Sequence, residues 1–442
     1  MRSQLPSVRA FVVFCSFTSA SMLLLKHAAA EKILAHEGDF TVFSDGRAGA
    51  FASYLAGDSL PNPSLNAATP QMQLPSGDGG TQAYDDGKGH ITSFRIRSGL
   101  LGNIFGFGVK APVTDWTTAK AYIQVWAWVE SIGQDKSQMN FADVRQGYVK
   151  LEGLWGSLLV GRSRGLFSRG NTDNDILYAH GYGVGYPGAA GVNSNGPTQG
   201  QVGFGVLGSW FASGIVYGTP ALGIKDGPTA QVNIGAFDPA VVVGAWTRTK
   251  WPRAEAELTL ECPFSSSGNK IGKVVAFASG LYEKLYNGNT ADSTNTSAEG
   301  VAGGGRLELG PARLGLSGHY GRGLGLYNTL ESSAAVVSQQ NELRWVEGYS
   351  VLAMVVVGKV DISAGWGRTH VLSTAGDKAL ATGTNYPSFD LINYQQGFSA
   401  GAVYHVKPWL HIDVDLFRAN FTWYQGDKQL DYVANSGMLF TW

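Results

Sequence analysis

Few residues in this chain have the types and spacing that catalysis or metal binding requires. Asp173 and Asp175 flank one asparagine, which is too short a spacing for a calcium-binding loop, although the pair could still hold a cation. Gly203, Gly205 and Gly208 match the dinucleotide pattern G-x-G-x-x-G, but they follow a predicted loop and begin no predicted helix. The eight histidines show no metal spacing, and no nucleophile elbow or His-Glu-x-x-His run stands out. We therefore predict no catalytic residues, no cofactor and no metal.

The charged and aromatic side chains that could act together lie in segments with a period of two. In Lys120–Glu130, apolar residues occupy the odd positions, while charged, amide and aromatic residues occupy the even ones. The segments 313–320 and 411–415 alternate in the same way. Because successive side chains of a strand point to opposite faces, these segments predict strands with one apolar and one polar face. Three large aromatics share the polar face of the first segment: Tyr122, Trp126 and Trp128.

Turn signals divide the chain into sixteen predicted strands, joined alternately by short turns and long polar connections. The long connections cover about 56–89, 164–200, 285–298, 324–343 and 372–390, and 239–253 fits either a loop or a strand. Short turns on one side and long loops on the other are typical of outer-membrane barrels. The strands are predicted at 38–55, 90–109, 117–131, 141–152, 156–163, 201–218, 227–238, 254–263, 271–284, 299–309, 312–323, 344–357, 359–371, 391–406, 409–423 and 430–442.

The fold class that follows is all-β, a transmembrane antiparallel β-barrel of about sixteen strands. Such a barrel is wide enough to hold an aqueous channel. A soluble β-sandwich with one exposed face alternates equally well, and it is the alternative on periodicity alone. The 60 glycines, 12% aromatics and only 15% charged residues favour the barrel, because soluble domains average about 25% charged residues.

The N-terminus has the features of a secretory signal peptide. A basic start with Arg2 and Arg9 precedes an apolar stretch and the small residues Ala28–Ala30, so we predict cleavage after Ala30 and a barrel domain over 31–442. The formal charge of −1 becomes −4 when Arg2, Arg9 and Lys26 are removed, and a nearly neutral chain gives no indication of nucleic acid as a partner. Cys262 is then the only cysteine, which excludes an internal disulfide.

The C-terminus places three apolar residues on one face of a final strand. Met438, Phe440 and Trp442 alternate, and a chain that ends in this way leaves an open edge unless another strand pairs with it. Closure of a barrel supplies that partner. Bacterial outer-membrane barrels end in this way, so these residues are predicted to be the signal that the barrel assembly machinery reads.

One segment, 143–162, resembles the general bacterial porin family. In that family, a strand with Arg-x-x-(Tyr/Phe)-Val-x-Leu ends in Gly-x-(Phe/Trp)-Gly, and the following strand ends in Gly-Arg just before a long third loop. The first strand with Gly46-Arg47 and the terminal Trp442 agree less closely. The matching positions are Arg145, Tyr148, Val149, Leu151, Gly153, Trp155, Gly156, Leu158, Gly161 and Arg162.

The resemblance implies a long third loop that folds into the pore, with acidic side chains opposite a ladder of basic ones. Opposed charges in a narrow aqueous pore would filter solutes by charge. The acidic Pro-Glu-Phe-Gly-Gly turn common in the family's loop is absent here, and 183–188 near its place has no carboxylate. The implied wall residues are Arg47, Arg145 and either Arg95 or Arg97, the loop residues are Asp173 and Asp175, and Arg162 could instead hold the loop base.

The resemblance also implies a function, a location and partners. The expected protein is a homotrimeric porin in the outer membrane, in contact with lipid and lipopolysaccharide, that lets small hydrophilic solutes and ions diffuse passively. A substrate-selective porin for sugars or small anions is the alternative, with Tyr122, Trp126 and Trp128 as an apolar track. A plugged structural barrel and an enzyme barrel are the remaining classes.

Overall fold

The computed structural model describes most of the chain after residue 30. The predicted signal peptide and Trp128 lie outside the described residues. The described ranges are 31–59, 84–97, 102–127, 142–175, 200–209, 211–224, 227–239, 246–266, 269–288, 294–324, 328–329, 342–381, 392–424 and 426–442.

The described residues form strands and two short helices. The helices are α1 (Arg169–Asn174) and α2 (Ala375–Ala381). No helix in the described part of the chain is long and apolar enough to cross a membrane. The strands are β1 (Lys32–Glu37), β2 (Phe40–Asp58), β3 (Tyr84–Asp85), β4 (His90–Arg97), β5 (Asn103–Thr114), β6 (Thr117–Ala127), β7 (Ala142–Gly153), β8 (Gly156–Arg164), β9 (Gly208–Ser209), β10 (Phe211–Gly218), β11 (Leu222–Gly223), β12 (Thr229–Phe237), β13 (Arg248–Thr249), β14 (Arg253–Ser266), β15 (Asn269–Tyr286), β16 (Asn295–Leu309), β17 (Ala312–Arg322), β18 (Asn328–Thr329), β19 (Trp345–Val357), β20 (Val360–Leu372), β21 (Ile392–Lys407), β22 (Leu410–Trp423) and β23 (Lys428–Thr441).

The main sheet closes into a barrel because β2 pairs on both of its edges. One edge of β2 pairs with β23, and the other pairs with β5 and β4, which lie end to end and together act as one strand. Each remaining long strand pairs antiparallel with its neighbours in the chain. The result is a closed barrel of sixteen antiparallel strands, as predicted. β1 folds back onto the start of β2, beyond the end of β23.

Alternation along the strands separates an inner from an outer face. On β22, residues at odd positions from His411 to Trp423 are buried, while Ile412, Val414 and Leu416 are exposed. β6 behaves in the same way, with Tyr122 buried and Ile123 exposed. Exposed apolar residues opposite buried polar ones give a barrel with an apolar outside and a polar inside. This confirms the predicted faces of both segments.

Short turns join the strands at one end of the barrel, which we call the turn end. The predicted tight connections at Gly153–Gly156, Gly310-Pro311 and Gly358-Lys359 each separate two paired strands. Gly310 (φ 51°) and Gly358 (φ 62°) adopt the left-handed conformation that such turns favour. The long connections leave from the opposite end, which we call the loop end.

The structure differs from the prediction most clearly between residues 201 and 210. We predicted a strand over 201–218, but β10 covers only Phe211–Gly218, and 202–206 form a compact turn closed by Gly203 N–H donating to the carbonyl of Val206 (2.8 Å). Gly203 and Gly205 have φ values of 85° and 93°, which a continuous strand does not allow. The G-x-G-x-x-G run is therefore a turn and begins no helix.

The C-terminal residues complete the closure. Trp442 N–H donates to the carbonyl of Gly46, and Gly46 N–H donates back to the carbonyl of Trp442 (3.1 and 3.0 Å). The Trp442 indole also donates to Ser44 Oγ (3.1 Å) and its ring contacts Phe105. The final strand thus has a partner along its length, which removes the open edge that the sequence implied.

Candidate functional site: the barrel interior

Basic side chains gather on the inner face of β2 and β4–β7, which we call the basic wall. They lie on the same face as buried neighbours such as Tyr122 and opposite the exposed residues Phe94, Phe107 and Val149. Arg47 and Arg145 are 6% and 8% exposed. The described basic residues of this wall are Arg47, Arg95, Lys110, Lys120, Arg145 and Lys150.

Arg145 is fixed by one carboxylate and two aromatic rings. Its Nε lies 2.7 Å from Asp143 Oδ2, and the guanidinium lies 4.9 Å from the ring centre of Trp126 and 5.9 Å from that of Phe211. Stacking on aromatic faces and pairing with a carboxylate are both typical of a planar guanidinium. The predicted wall residue Arg145 is therefore held at a defined position on the inner face.

The two described lumen aromatics are covered by polar side chains. Tyr122 OH donates to Asp45 Oδ1 (2.7 Å), and the Trp126 indole donates to Gln124 Oε1 (2.8 Å). Their exposed fractions are only 5% and 7%. Both lie on the inner face as the sequence indicated, but they present little open ring surface to a sugar.

The third connection, between β8 and β10, leaves the loop end and packs against the inner faces of β14–β17. Leu166 and Phe167 N–H both donate to Glu255 Oε2 (2.6 and 2.9 Å). Ser168, whose φ is 61°, donates its N–H to Ser279 Oγ (3.0 Å). The left-handed conformation is unfavourable for a non-glycine residue, so it is found only where surrounding contacts stabilise it. This first leg of the connection, 165–175, is therefore docked.

Helix α1 within this leg is held by one ion pair to β14 and one hydrogen bond from β16. Arg169 pairs with Glu257, and Arg306 Nη1 donates to the carbonyl of Asp173 (2.7 Å). Burial lowers the pKa of Arg169, but the charge and hydrogen bond of Glu257 outweigh burial and raise it overall. The Arg169–Glu257 pair is therefore charged when the leg is docked.

The second leg, 200–209, docks on β19–β22. Thr369 Oγ1 donates to the carbonyl of Gly203 (2.8 Å) and accepts from Gly205 N–H (2.9 Å), and Gln395 Nε2 donates to the same Gly203 carbonyl. Phe204 is fully buried, with its ring centre 4.9 Å from that of Phe417. Each such hydrogen bond contributes about 1 kcal/mol, so the contacts together fix the leg.

Glycines on the inner faces of β14–β17 and β19–β22 make room for both legs of the third connection. A Cβ on Gly367 would lie 1.9 Å from the carbonyl oxygen of Phe204, and one on Gly300 would lie 2.9 Å from the ring of Phe167. Gly397 is similarly close to Phe204. We call the inner faces of β14–β17 and β19–β22 the docking wall. The composition showed many glycines, but no local pattern marked those that receive the connection.

The structure places the two predicted loop acids at the base of the third connection. Asp175 is fully buried and accepts from Gln201 N–H (2.7 Å), which joins the two legs. Asp173 pairs with Arg164 (3.0 Å) and is 16% exposed. Asp175 therefore holds the connection together, while Asp173 stays partly accessible.

Arg164, which the sequence analysis missed, holds the loop base. Besides Asp173 it donates to Ser209 Oγ (3.1 Å) and to the carbonyl of Arg169 (3.3 Å). Arg162 is the cross-strand partner of Ser213. It lies two positions after the exposed Val160 on β8, so the side chains of Arg162 and Val160 point to the same face. The pairing thus puts Arg162 on the outer face, and the side chain of Arg97 lies outside the described side chains.

The inner face of β20–β23 carries acids in place of bases. His405 lies between Asp361 (2.9 Å) and His411 (2.8 Å) on this face. Among the described residues, no group of three or more His, Cys, Asp or Glu side chains could hold a metal ion. Within the described part of the barrel, the acids of this face are Asp361, Asp413, Asp415 and Asp431.

No protein-family model matches the sequence, and no curated protein matches it either. Solved structures match the fold over almost the whole chain. The outer membrane channel DcaP of Acinetobacter baumannii superposes with a TM-score of 0.62 at 15% identity, covering 93% of this chain and 100% of that chain. An anion-selective porin from Comamonas acidovorans gives 0.55 at 13% identity, covering 91% and 100%. OmpF of Salmonella typhi, in a complex with daunomycin, gives 0.51 at 13% identity, covering 93% and 100%.

At these identities the similarity is one of fold. The chain folds as bacterial outer-membrane porins do, with sixteen strands and a polar interior.

Proposed function

We propose that this protein is an outer-membrane porin that lets small hydrophilic solutes and ions diffuse passively through its barrel. The observation that carries the proposal is the closed sixteen-stranded barrel with a charged inner face and an apolar outer face. A barrel of this strand number is wide enough for an aqueous channel. No chemical step is part of the proposal.

In the proposed channel, the third connection fills the side of the lumen next to the docking wall. Both described legs bind inner-facing side chains of that wall, namely Glu255 and Thr369. Solutes would pass along the basic wall, with Arg47, Arg95 and Arg145 as fixed positive charges and Asp173 as the facing acid. Opposed charges at a narrow point filter solutes by charge.

A sugar-selective channel has less support from the geometry. The aromatic track that it requires would need open ring faces, but Tyr122 and Trp126 are almost fully buried. Addition of maltose or another neutral sugar to the bilayer experiment below tests this alternative. Block of the current at low sugar concentration would favour it.

The location, export and assembly of the protein are part of the same proposal. A signal peptide over 1–30 would direct export, and the exposed Met438 and Phe440 beside Trp442 would be read by the barrel assembly machinery. The barrel would then lie among lipid and lipopolysaccharide as a homotrimer. Membrane fractionation, and gel migration with and without heating, test these points. Assembly of a Phe440→Ser variant as efficiently as the wild type would contradict the assigned signal.

The direct test of function is conductance of the purified protein in a planar bilayer. Stepwise openings in a salt gradient, grouped in threes, support a trimeric porin. A folded, heat-modifiable barrel that gives no current would overturn the proposed function.

A further inference from the structure

Two lysines face each other on the basic wall near the turn end of the barrel. Lys110 of β5 and Lys120 of β6 are direct cross-strand partners, and they share the inner face with Tyr122. Like charges directly opposite each other destabilise a strand pair. An anion placed between the two ammonium groups removes that repulsion.

The chain supplies such an anion from outside the barrel strands. Glu31 lies directly before β1, and its carboxylate contacts both lysines, with Oε1 3.1 Å from Lys120 Nζ and Oε2 in contact with Lys110 Nζ. The side chains of Glu31 and Lys120 are 16% and 14% exposed. Burial raises the pKa of Glu31, but the hydrogen bond from Lys110 and the charge of Lys120 lower it overall, which keeps the carboxylate charged.

An aromatic floor holds the two ammonium groups at fixed positions. Each Nζ lies 4.9 Å from the ring centre of Phe43, which is 1% exposed and stacks on Tyr122. Cations over a ring face are attracted by its electron density. The neighbouring carboxylate, Asp45, has one oxygen bound by Tyr122 OH (2.7 Å), so Glu31 is the acid that bridges the lysines.

We propose that Lys110 and Lys120 form a binding site for the carboxylate of a solute, and that Glu31 occupies this site as an intramolecular ligand. The geometry of the site stands without the proposed function, and only its role in solute passage rests on it. A carboxylate entering the barrel would replace the Glu31 side chain and make the same two charge-assisted hydrogen bonds. Glu31 thereby sets the affinity of the turn end of the barrel for anions.

Chemical rescue tests the site without any measurement of current. The Glu31→Ala protein in detergent should unfold at a lower temperature, because the two lysines then repel each other. Sodium formate should raise the unfolding midpoint of this variant, and the rise should continue with the logarithm of the formate concentration above its dissociation constant, whereas sodium chloride at the same ionic strength should have no such effect. The midpoint is read from heat-modified migration on a gel.

Glu261 of β14 provides the matched control, away from the row of lysines on β5–β7. It binds one lysine, Lys273 (3.2 Å), and its side chain is 25% exposed. The Glu261→Ala protein should show a smaller change and no dependence on formate. Equal formate dependence in both variants would overturn the proposal, as would its absence from Glu31→Ala.

Removal of the lysines provides the second arm. In a Glu31→Ala protein that also carries Lys110→Met and Lys120→Met, formate should have no effect on the midpoint. Persistence of the formate effect would place the binding site elsewhere and overturn the assignment.

In bilayers, Glu31→Ala should shift the reversal potential toward anions, and an unchanged potential would count against the site's role in passage. Absence of current in every variant would remove the proposed function but leave the rescue experiment valid.

Discussion

The two sides of the barrel interior differ in what their inner faces offer. The basic wall carries long side chains such as Arg145, fixed by a carboxylate and aromatic rings. The docking wall offers glycines and buried acceptors, and these receive the main chain of the third connection. Both walls follow the same alternation, so the difference arises from side-chain volume and charge alone. One barrel can thus fill one side of its lumen and leave a row of basic side chains on the other.

The largest expected effect comes from filling the space that a docking-wall glycine leaves open. In Gly367→Ala, the new Cβ would meet the carbonyl of Phe204, so the second leg must move away from the wall. Single-channel conductance should change by roughly a factor of two, because it follows the open cross-section of the pore.

The matched control for this change is Gly303→Ala. Gly303 lies on the outer face, and the nearest atom to its added Cβ is the carbonyl oxygen of Phe277 at 3.4 Å. This variant should conduct like the wild type. Equal conductance of Gly367→Ala and the wild type would mean that the docked leg does not limit the pore.

Removal of positive charge from the basic wall should change selectivity more than conductance. Arg145→Ala deletes a fixed cation and releases Asp143, so the cation-to-anion permeability ratio should rise by about twofold. Reversal potentials in a potassium chloride gradient measure this ratio. Arg418→Ala, which removes an exposed arginine from the outer face, is the control. An identical potential for both variants would exclude Arg145 from the solute path.

The connections at the loop end should respond to acid. Arg344, just before β19, and Asp377 of α2 form an ion pair at 2.7 Å in which both side chains are 1% exposed. Burial raises the pKa of Asp377, but hydrogen bonds from Arg344 and Thr374 lower it overall. Stability from this pair is therefore present above the ordinary pKa of an aspartate and is lost as pH falls through the lower folded value.

The change that tests this pair is Asp377→Asn. The variant should lower the unfolding midpoint by roughly 5 °C at neutral pH, where the wild-type pair is intact. The difference should begin to shrink below about pH 4, where the carboxylate becomes protonated in the unfolded chain, and should disappear as the pH falls through the lower folded pKa of Asp377. A difference that stays constant from pH 7 to pH 3 would show that the charge of Asp377 does not stabilise the fold.

The smallest effect is expected from the buried lumen aromatics. Trp126→Phe keeps the ring that Arg145 covers and removes only the hydrogen bond to Gln124. Conductance and sugar sensitivity should stay within about 20% of the wild type, because the ring face is already covered. A large loss of sugar block in this variant would support the selective alternative.

The barrel could be predicted from the sequence because its signals are local. Alternation in 120–127 and 411–415 defines two faces within one strand, and Gly310-Pro311 and Gly358-Lys359 mark turns between adjacent strands. Pairing between neighbours in the chain then follows from the short turns. The predicted inner positions of Tyr122 and Trp126 needed only this local pattern. That of Arg145 came from the family resemblance, since a bulge in β7 takes Arg145 out of the simple alternation.

The docking of the third connection could not be predicted because its partners are remote in sequence. Gly203 and Gly205 interrupt a run that otherwise reads as a strand, and they meet Thr369 from a distant part of the chain. The resemblance implies that Asp175 is an acid of the pore constriction, but the buried side chain accepts a hydrogen bond from the backbone N–H of Gln201 on the returning leg. The hydrogen-bond partners of these residues depend on which strands the third connection packs against, and the local sequence does not contain that information.

The central claim is that solutes pass along the basic wall while the docking wall is covered. Single cysteines in a Cys262→Ser background test it, at the half-buried Gln146 and at the buried Ser399, which accepts from Gln201 (2.7 Å). A charged, membrane-impermeant thiol reagent is added while current is recorded. We predict that current through Gln146→Cys falls and current through Ser399→Cys does not. Loss of current through Ser399→Cys alone would contradict the account.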